Sequence, residues 1–239
     1  MFAAISAYHS LGLLAGALSS LFWTIAYALI IRRGAKDKTF GMPLTALGAN
    51  LAWEVTFLIV TLEHDPFDAR LAMILPWTLL DFAIVYQAFR YGKGDFASKM
   101  ATRYFYVGLS LILVVAAVVL RTVVRELHDA IGWYAAFGQN LMMSVLFVAM
   151  ILRRDSLRGQ SIYIALGKLL GTFFAFVMAL FWSPPTLHEH WKSLLPDAYT
   201  PIAPMLVTLY AGIFLFDVVY AALVLRKARD LGVNAWRVI

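Results

Sequence analysis

A chain of 239 residues, of which 62% are hydrophobic and only 14% are charged, lacks the charged surface of a soluble domain, where about 25% of residues are charged. This composition predicts an integral membrane protein embedded in a lipid bilayer. The net charge of +6 favours basic loops that face anionic lipid headgroups over a nucleic-acid partner. The absence of cysteine excludes disulfides, thiol nucleophiles and thiolate-bound metals.

Continuous apolar windows of about 20 residues predict helices, because a segment in lipid must satisfy its backbone hydrogen bonds internally. Seven such windows follow along the chain: 10–31, 43–62, 71–89, 104–120, 131–152, 162–182 and 204–225. The first is too long for a signal-peptide core and has no basic residue before it, so we interpret it as a retained helix. The prediction is an all-α bundle of seven transmembrane helices, a single domain over residues 1–239 without internal repeats.

Basic residues are concentrated on one side of this predicted bundle. Fifteen of the twenty Lys and Arg residues follow the first, third, fifth or seventh window. By the positive-inside rule, the amino terminus lies outside and the carboxyl terminus is cytoplasmic. We interpret Arg32 with Arg33, and Arg153 with Arg154, as ordinary cytoplasmic flanks.

Three acids, Glu54, Asp81 and Asp217, lie within the predicted spans. A carboxylate near the middle of a bilayer costs at least about 2.5–3.5 kcal/mol, so such residues face the bundle interior and mark a functional site. The apolar surroundings favour the neutral acid, which predicts a proton donor. Asn50, one turn before Glu54, is placed to orient that carboxyl. Lys168 also lies within a span, and we expect its side chain to extend toward the cytoplasmic end of its helix rather than take part in chemistry.

Aromatic residues accompany these acids along the sequence. Those that lie within about two turns of an acid include Trp53, Phe57, Trp77, Tyr86, Tyr210, Phe214 and Tyr220. Ring faces stabilise a cation without offering a nucleophile, as a carbocation intermediate requires. The candidate substrate-binding residues are Asn50, Trp53, Phe57, Trp77 and Tyr220.

Other patterns favour structural roles. The spacing of Gly12 with Gly16, and of Gly167 with Gly171, is typical of close helix packing. His188 and His190 lie in a loop without further metal ligands, so we predict no metal site there.

The segment 41–54, GMPLTALGANLAWE, resembles the signature of the membrane-embedded terpene cyclases of fungal meroterpenoid and paxilline-type indole-diterpene pathways, which have bacterial relatives in drimentine-type biosynthesis. The segment 139–152 followed by RRDSLRGQS is similar to the fifth helix of that family and its R-G-x-S loop. The motif FDVVY at 216–220 is similar to the acidic motif of the last helix.

The resemblance implies that Glu54 and Asp217 are the essential acids, whereas Asp81 matches a position that is often Asp and sometimes Asn. It also implies a reaction without metal or other cofactor, in which protonation of a terminal alkene or epoxide starts a carbocation cyclisation. The substrate is then a hydrophobic prenyl chain, such as farnesyl, on an aromatic or heterocyclic head. The sequence agrees, because it contains neither D-D-x-x-D nor D-x-D-D.

In this interpretation one of Glu54 and Asp217 is the general acid, and the other holds it in place. A carboxyl group or water removes the final proton. The short amino terminus and compact loops resemble the bacterial members, which favours the bacterial cytoplasmic membrane over the endoplasmic reticulum of a fungus, and a non-epoxidised substrate such as a farnesylated indole.

Two other classes of seven-helix protein compete with the cyclase. A proton-coupled transporter would use the three acids as a proton relay, but the chain lacks the internal repeat typical of such carriers. A retinal protein would use Asp81 as counter-ion, but the seventh span has no lysine for the Schiff base, and Lys168 lies one helix too early.

Overall fold

The computed structural model describes residues 2–68, 70–96, 98–181 and 203–239. Its described residues form seven helices that are long and apolar enough to cross a membrane. These are α1 (Phe2–Asp37), α2 (Leu44–His64), α3 (Leu71–Tyr91), α4 (Lys99–Glu126), α5 (Trp133–Arg154), α6 (Ile162–Phe181) and α7 (Pro204–Asp230), with 3-10 turns at Gly92–Asp95 and Ala235–Arg237. The predicted all-α fold with seven spans is confirmed, and the orientation of the termini stays a prediction.

The first turn of α5 shows how local chemistry sets a helix boundary. The helix begins at Trp133, two residues later than predicted, because Gly132 adopts a left-handed conformation with φ of 75°. The buried Asp129 side chain accepts a hydrogen bond from the Ala135 backbone N–H at 2.8 Å. Burial raises the pKa of the Asp129 carboxyl, although backbone N–H groups at the start of α5 act in the opposite direction. Asp129 therefore stabilises the beginning of α5.

Six helices form a ring around a buried interior. Its neighbours in order are α1, α3, α2, α5, α7 and α6, and α6 closes the ring against α1. The remaining helix, α4, packs against α2, and only its residues Phe105, Leu109 and Leu120 are buried. The other side chains of this very apolar helix suit a lipid-facing position outside the ring.

The contact between α1 and α6 depends on small residues. A Cβ atom on Gly171 would lie 2.7 Å from Cδ1 of Trp23, and one on Gly16 would lie 2.9 Å from Sδ of Met178. Ser19 adds a hydrogen bond of 2.8 Å from its Oγ to the Gly171 carbonyl. The predicted role of the glycine pairs in helix packing is confirmed.

The basic end of the ring is held by Arg33 and Arg154, contrary to the expectation that they are ordinary flanks, whereas Arg32 and Arg153 are exposed as expected. Arg154 donates to the Phe40 carbonyl at 2.9 Å and to Asp95 Oδ2 at 2.7 Å. Arg33 pairs with Asp37 at 2.6 Å, and Asp37 in turn accepts from the Gly159 N–H at 2.7 Å. These bonds join the loop after α1, the turn after α3 and the loop after α5. Charge patterning alone did not reveal them, because the partners come from distant segments.

Candidate active site

Glu54 and Asp81 lie together inside the ring, held by polar groups from three helices. Asn50 Nδ2 on α2 lies 3.0 Å from Glu54 Oε1 and 2.8 Å from Asp81 Oδ2 on α3. Tyr27 on α1 donates its hydroxyl hydrogen to Glu54 Oε1 at 2.9 Å. The two carboxyl residues are at most 1% exposed to solvent. The predicted association of Asn50 with Glu54 is seen, and it extends to Asp81.

In the described part of the chain, the other oxygen of each carboxyl group has no hydrogen-bond donor. Glu54 Oε2 and Asp81 Oδ1 are buried, and neither contacts a hydrogen-bond donor among the described residues. Both carboxyl groups contact the same amide nitrogen of Asn50, so they lie close together. Two ionised carboxylates this close in an apolar interior repel each other, whereas a proton on one of them removes the repulsion. The arrangement is therefore suited to hold a proton.

Asp217 on α7 lies in a separate cluster. Lys168 Nζ on α6 donates to Asp217 Oδ1 at 2.6 Å and to Ser144 Oγ on α5 at 2.6 Å. The expectation that Lys168 extends to the end of its helix is wrong: its side chain is 2% exposed and forms a buried ion pair. Burial of two charges costs less when they neutralise each other, and α7 supplies the carboxylate. From the sequence, Asp217 was expected to lie beside Glu54 and hold it in place. In the structure Asp81 takes that position, because Asp217 is paired with Lys168.

Polar side chains of α5 lie between the two clusters. Gln139 Nε2 approaches Asn50 Oδ1 at 3.4 Å, and Asn140 Nδ2 donates to Thr172 Oγ1 of α6 at 2.9 Å. Ser144, one turn further, accepts from Lys168. The interior residues that the sequence analysis missed are Tyr27, Gln139, Asn140, Ser144 and Thr172. The polar residues at 139, 140 and 144 of an otherwise apolar span were an available signal, since such residues face a bundle interior.

Aromatic rings adjoin both clusters. The edge of Trp77 packs against the Tyr27 ring at a centroid distance of 6.3 Å, and its indole N–H donates to Thr24 Oγ1 at 3.0 Å. Tyr220, which is 1% exposed, lies one turn from Asp217 on α7 and packs against Phe147 at 5.0 Å. Trp77 and Tyr220 are thus buried in the interior, and their role in substrate binding stays a prediction.

Other predicted aromatics lie elsewhere. Trp53 donates its indole N–H to the Gly132 carbonyl at 2.9 Å, and Phe57 packs against Trp53 at 5.0 Å, so both contact the loop before α5. Tyr86 is 65% exposed and does not surround an acid, because it lies on the outer face of α3. Tyr210 and Phe214 pack with Phe176 in an aromatic cluster between α6 and α7.

A cavity of about 270 Å³ lies between α2, α4 and α5, with Pro43, Ile112 and Arg153 in its wall, and it does not include an acid of the interior. Among the described residues, no group of three or more His, Asp and Glu side chains is placed to bind a metal ion. The motif with His188 and His190 lies outside the described residues.

Comparison with known proteins identifies the family. Residues 5–230 match the profile of the Pyr4-like transmembrane terpene cyclases. The chain is 29% identical to the Pyr4-family terpene cyclase mfmH of Annulohypoxylon moriforme, over 89% of this chain and 86% of that protein. It is 24% identical to the terpene cyclase macJ of Penicillium terrestre, over 86% and 78% of the two chains. It is 26% identical to the asnovolin H synthase nvfL of Aspergillus novofumigatus, over 85% and 80%.

No solved structure matches the chain. The match of the family profile covers all seven helices and both carboxyl clusters of the interior. A hydrophobic substrate suits a site enclosed by a membrane-embedded bundle. The chain therefore belongs to the Pyr4-like transmembrane terpene cyclases and is a membrane-bound enzyme.

Proposed function

We propose that this enzyme protonates the terminal alkene or epoxide of a farnesylated aromatic or heterocyclic substrate and guides the cyclisation of the resulting carbocation. The observation that carries this proposal is the buried pair of Glu54 and Asp81, bridged by Asn50. Membership of a terpene cyclase family favours this function over a proton-coupled transporter, which would use the same acids as a relay.

Glu54 is the proton donor in this proposal. Its O–H bond breaks, and the proton forms a C–H bond with the terminal alkene or an O–H bond with the epoxide oxygen. Tyr27 and Asn50 already donate toward Glu54 Oε1, so they stabilise the carboxylate that remains. Asp81 is the ionised neighbour that keeps the shared proton on the pair until substrate arrives.

Aromatic rings next to the donor support the cationic part of the reaction. Tyr27 and Trp77 contact each other, and Trp23 packs against the Tyr27 ring at 5.9 Å. Their faces stabilise positive charge by about 0.5–2 kcal/mol each. The buried interior also keeps away water, which would capture a carbocation before the rings close.

The first experiment asks whether the chain cyclises such substrates. Membranes that contain the protein are incubated with farnesyl-aromatic and epoxyfarnesyl-aromatic compounds, and products of unchanged mass are identified by mass spectrometry and NMR. We expect a cyclised isomer from one of the two classes, which also decides between alkene and epoxide protonation. Absence of an isomer with every compound of both classes would contradict the proposed function.

Substitution of the acids tests their roles. Glu54→Gln and Asp217→Asn are each expected to reduce cyclisation by about 10²-fold or more, because proton transfer by a positioned group contributes roughly that factor. Asp81→Asn should also slow the reaction, since it removes the charge that holds the shared proton. Glu63→Gln, at the exposed end of α2, is the matched control and should retain full activity. A folded Glu54→Gln variant with more than a few per cent of wild-type activity would remove Glu54 from the donor role.

The proposed start by protonation predicts a reaction that needs no metal. EDTA should leave the cyclisation rate in membranes unchanged, because no diphosphate has to be held by a cation. A loss of activity that added magnesium restores would overturn this mechanism.

A further inference from the structure

We infer that Lys168 is a positioning residue, which holds Asp217 as the ionised acceptor of the proton that ends the cyclisation. The inference deepens the proposed function and depends on it. It separates the two essential acids by role: Glu54 belongs to the pair that donates a proton, and Asp217 belongs to the pair that receives one.

The hydrogen bonds of Lys168 leave one side of Asp217 open. The ammonium has three N–H groups, of which one donates to Asp217 Oδ1 and one to Ser144 Oγ, both at 2.6 Å. The same Nζ lies 5.7 Å from the centre of the Trp23 ring, a cation–π distance. Asp217 Oδ2 is buried and meets no donor among the described residues. Lys168 thus fixes one oxygen of the carboxylate, while the other keeps its lone pairs available.

The charges of this pair assign it a role as acceptor. If Asp217 were protonated, the buried ammonium of Lys168 would lose its counter-charge in the described interior, which is strongly unfavourable. The pair is therefore a carboxylate with an ammonium, and a carboxylate has no proton to give to the substrate. In the last step a C–H bond next to the carbocation breaks, its electrons form a C=C bond, and the proton binds to Asp217 Oδ2. Glu54 gives one proton to the substrate and Asp217 takes one from it, so that the substrate is isomerised. A carbocation is a far stronger acid than a carboxyl group, so this transfer is favourable even beside the Lys168 ammonium. Asp217 then releases its proton and Glu54 takes one up, which restores the resting enzyme.

The positions of Glu54 and Asp217 in the ring support the same assignment of donor and acceptor. Asp217 and Glu54 lie on α7 and α2, which are not neighbours in the ring and have α5 between them. Tyr27 touches Glu54, and Trp23, one turn before it on α1, lies over Lys168, so that aromatic rings lie between the donor pair and the acceptor pair. A cation that forms at one pair and moves along the chain as rings close would pass these rings before it meets the acceptor.

The test is the product pattern of Lys168 variants in membranes, with the substrate class on which the wild type is active. Lys168→Met is expected to lower the rate on the order of 10²-fold, as a misplaced reacting group does. It should also raise the share of alkene isomers and of water-captured alcohol, because the final deprotonation loses its acceptor. Lys168→Arg, which keeps a cation beside Asp217, should restore most of the wild-type product ratio. Ser144→Ala, which removes one partner of the ammonium, should shift the ratio in the same direction as Lys168→Met but less.

A second measurement separates positioning from stability. Melting of the purified protein in detergent should show that Lys168→Met is destabilised and that Lys168→Met combined with Asp217→Asn regains stability, since the double variant has no unpaired buried charge. If Lys168→Met does not fold, Lys168→Arg and Ser144→Ala decide the question. An unchanged product ratio in folded Lys168 and Ser144 variants would overturn the inference while leaving the cyclase function intact. A wild type that forms no isomer would refute the proposed function instead.

Discussion

The amide of Asn50 occupies a position that few other side chains could fill. Its nitrogen faces oxygens of Glu54 and Asp81, while its oxygen accepts from Gln139 at 3.4 Å. An amide bridges two carboxyl groups without adding a charge. A charged side chain at this position would remove the advantage of a proton shared by the two acids. The contact from α5 determines which end of the amide points at the acids.

Tyr27 on α1 contributes to this pair through its hydroxyl group, which a single substitution removes. Tyr27→Phe removes the hydroxyl that donates to Glu54 and leaves the ring against Trp77. We expect a loss of about 1–2 kcal/mol in the free energy of unfolding, the typical contribution of a buried hydrogen bond to a carboxyl group, while Asn50 still donates to the same oxygen. If the same interaction is lost in the transition state, cyclisation slows roughly tenfold. Detergent melting and product formation measure the two effects.

The control for this substitution is Tyr86→Phe, which removes a hydroxyl from a side chain that is 65% exposed. It should leave both stability and rate at wild-type values. Equal effects of the two substitutions would mean that the Tyr27 hydroxyl does not support Glu54.

At the scale of helices, the close packing of α1 on α6 brings Trp23 to the ion pair of Lys168 and Asp217. Gly171 lets Trp23 approach α6, and Trp23 in turn covers the ammonium of Lys168. A bulkier residue at 171 would push α1 outward and with it the aromatic ring over the ion pair. The small residues of this interface therefore serve the site as well as the bundle.

Gly171→Ala tests this interface. The added Cβ would lie 2.7 Å from Trp23, and we expect the free energy of unfolding to fall by about 1–3 kcal/mol, the usual cost of overpacking. Gly108→Ala on α4 is the control, since a Cβ there meets nothing within 4 Å. It should be neutral or stabilising by up to about 1 kcal/mol, because alanine favours a helix over glycine. The stability of both variants is measured by melting in detergent. Equal stability of the two variants would contradict the packing role of Gly171.

At the scale of the whole molecule, the six-helix ring encloses the polar groups and leaves α4 outside. Each helix of the ring contributes a polar side chain to the interior, from Tyr27 on α1 to Asp217 on α7. These groups bond mainly to one another, because lipid offers them no partners. The ring thereby encloses two separate polar clusters in an apolar interior, Glu54 with Asp81 and Lys168 with Asp217.

The orientation of this ring in the membrane can be measured directly, because the chain has no native cysteine. Single cysteines at Glu63, after which α2 ends, and at Arg229, near the end of α7, lie at exposed positions. With the amino terminus outside, a membrane-impermeant maleimide should label Glu63→Cys on intact cells, and Arg229→Cys only after the membrane is permeabilised. The reverse pattern would show that the distribution of basic residues does not decide the topology of this protein.

The sequence by itself determined the helices and the identity of the buried acids, because both follow from local properties. A long apolar window has no stable alternative to a helix in lipid, and a carboxyl group within it must face other protein atoms. The resemblance of segment 41–54 to a cyclase signature, and the membership of the family, were equally visible in the chain.

The tertiary structure alone decided which of these groups meet. Glu54 contacts Asp81 and Asp217 contacts Lys168 because of the order and rotation of helices in the ring, which no single span encodes. The sequence alone predicts that the Lys168 side chain extends toward the membrane surface, because burial of an ammonium without a partner has a high free-energy cost. The opposing carboxylate from α7, 49 residues away, reverses that balance.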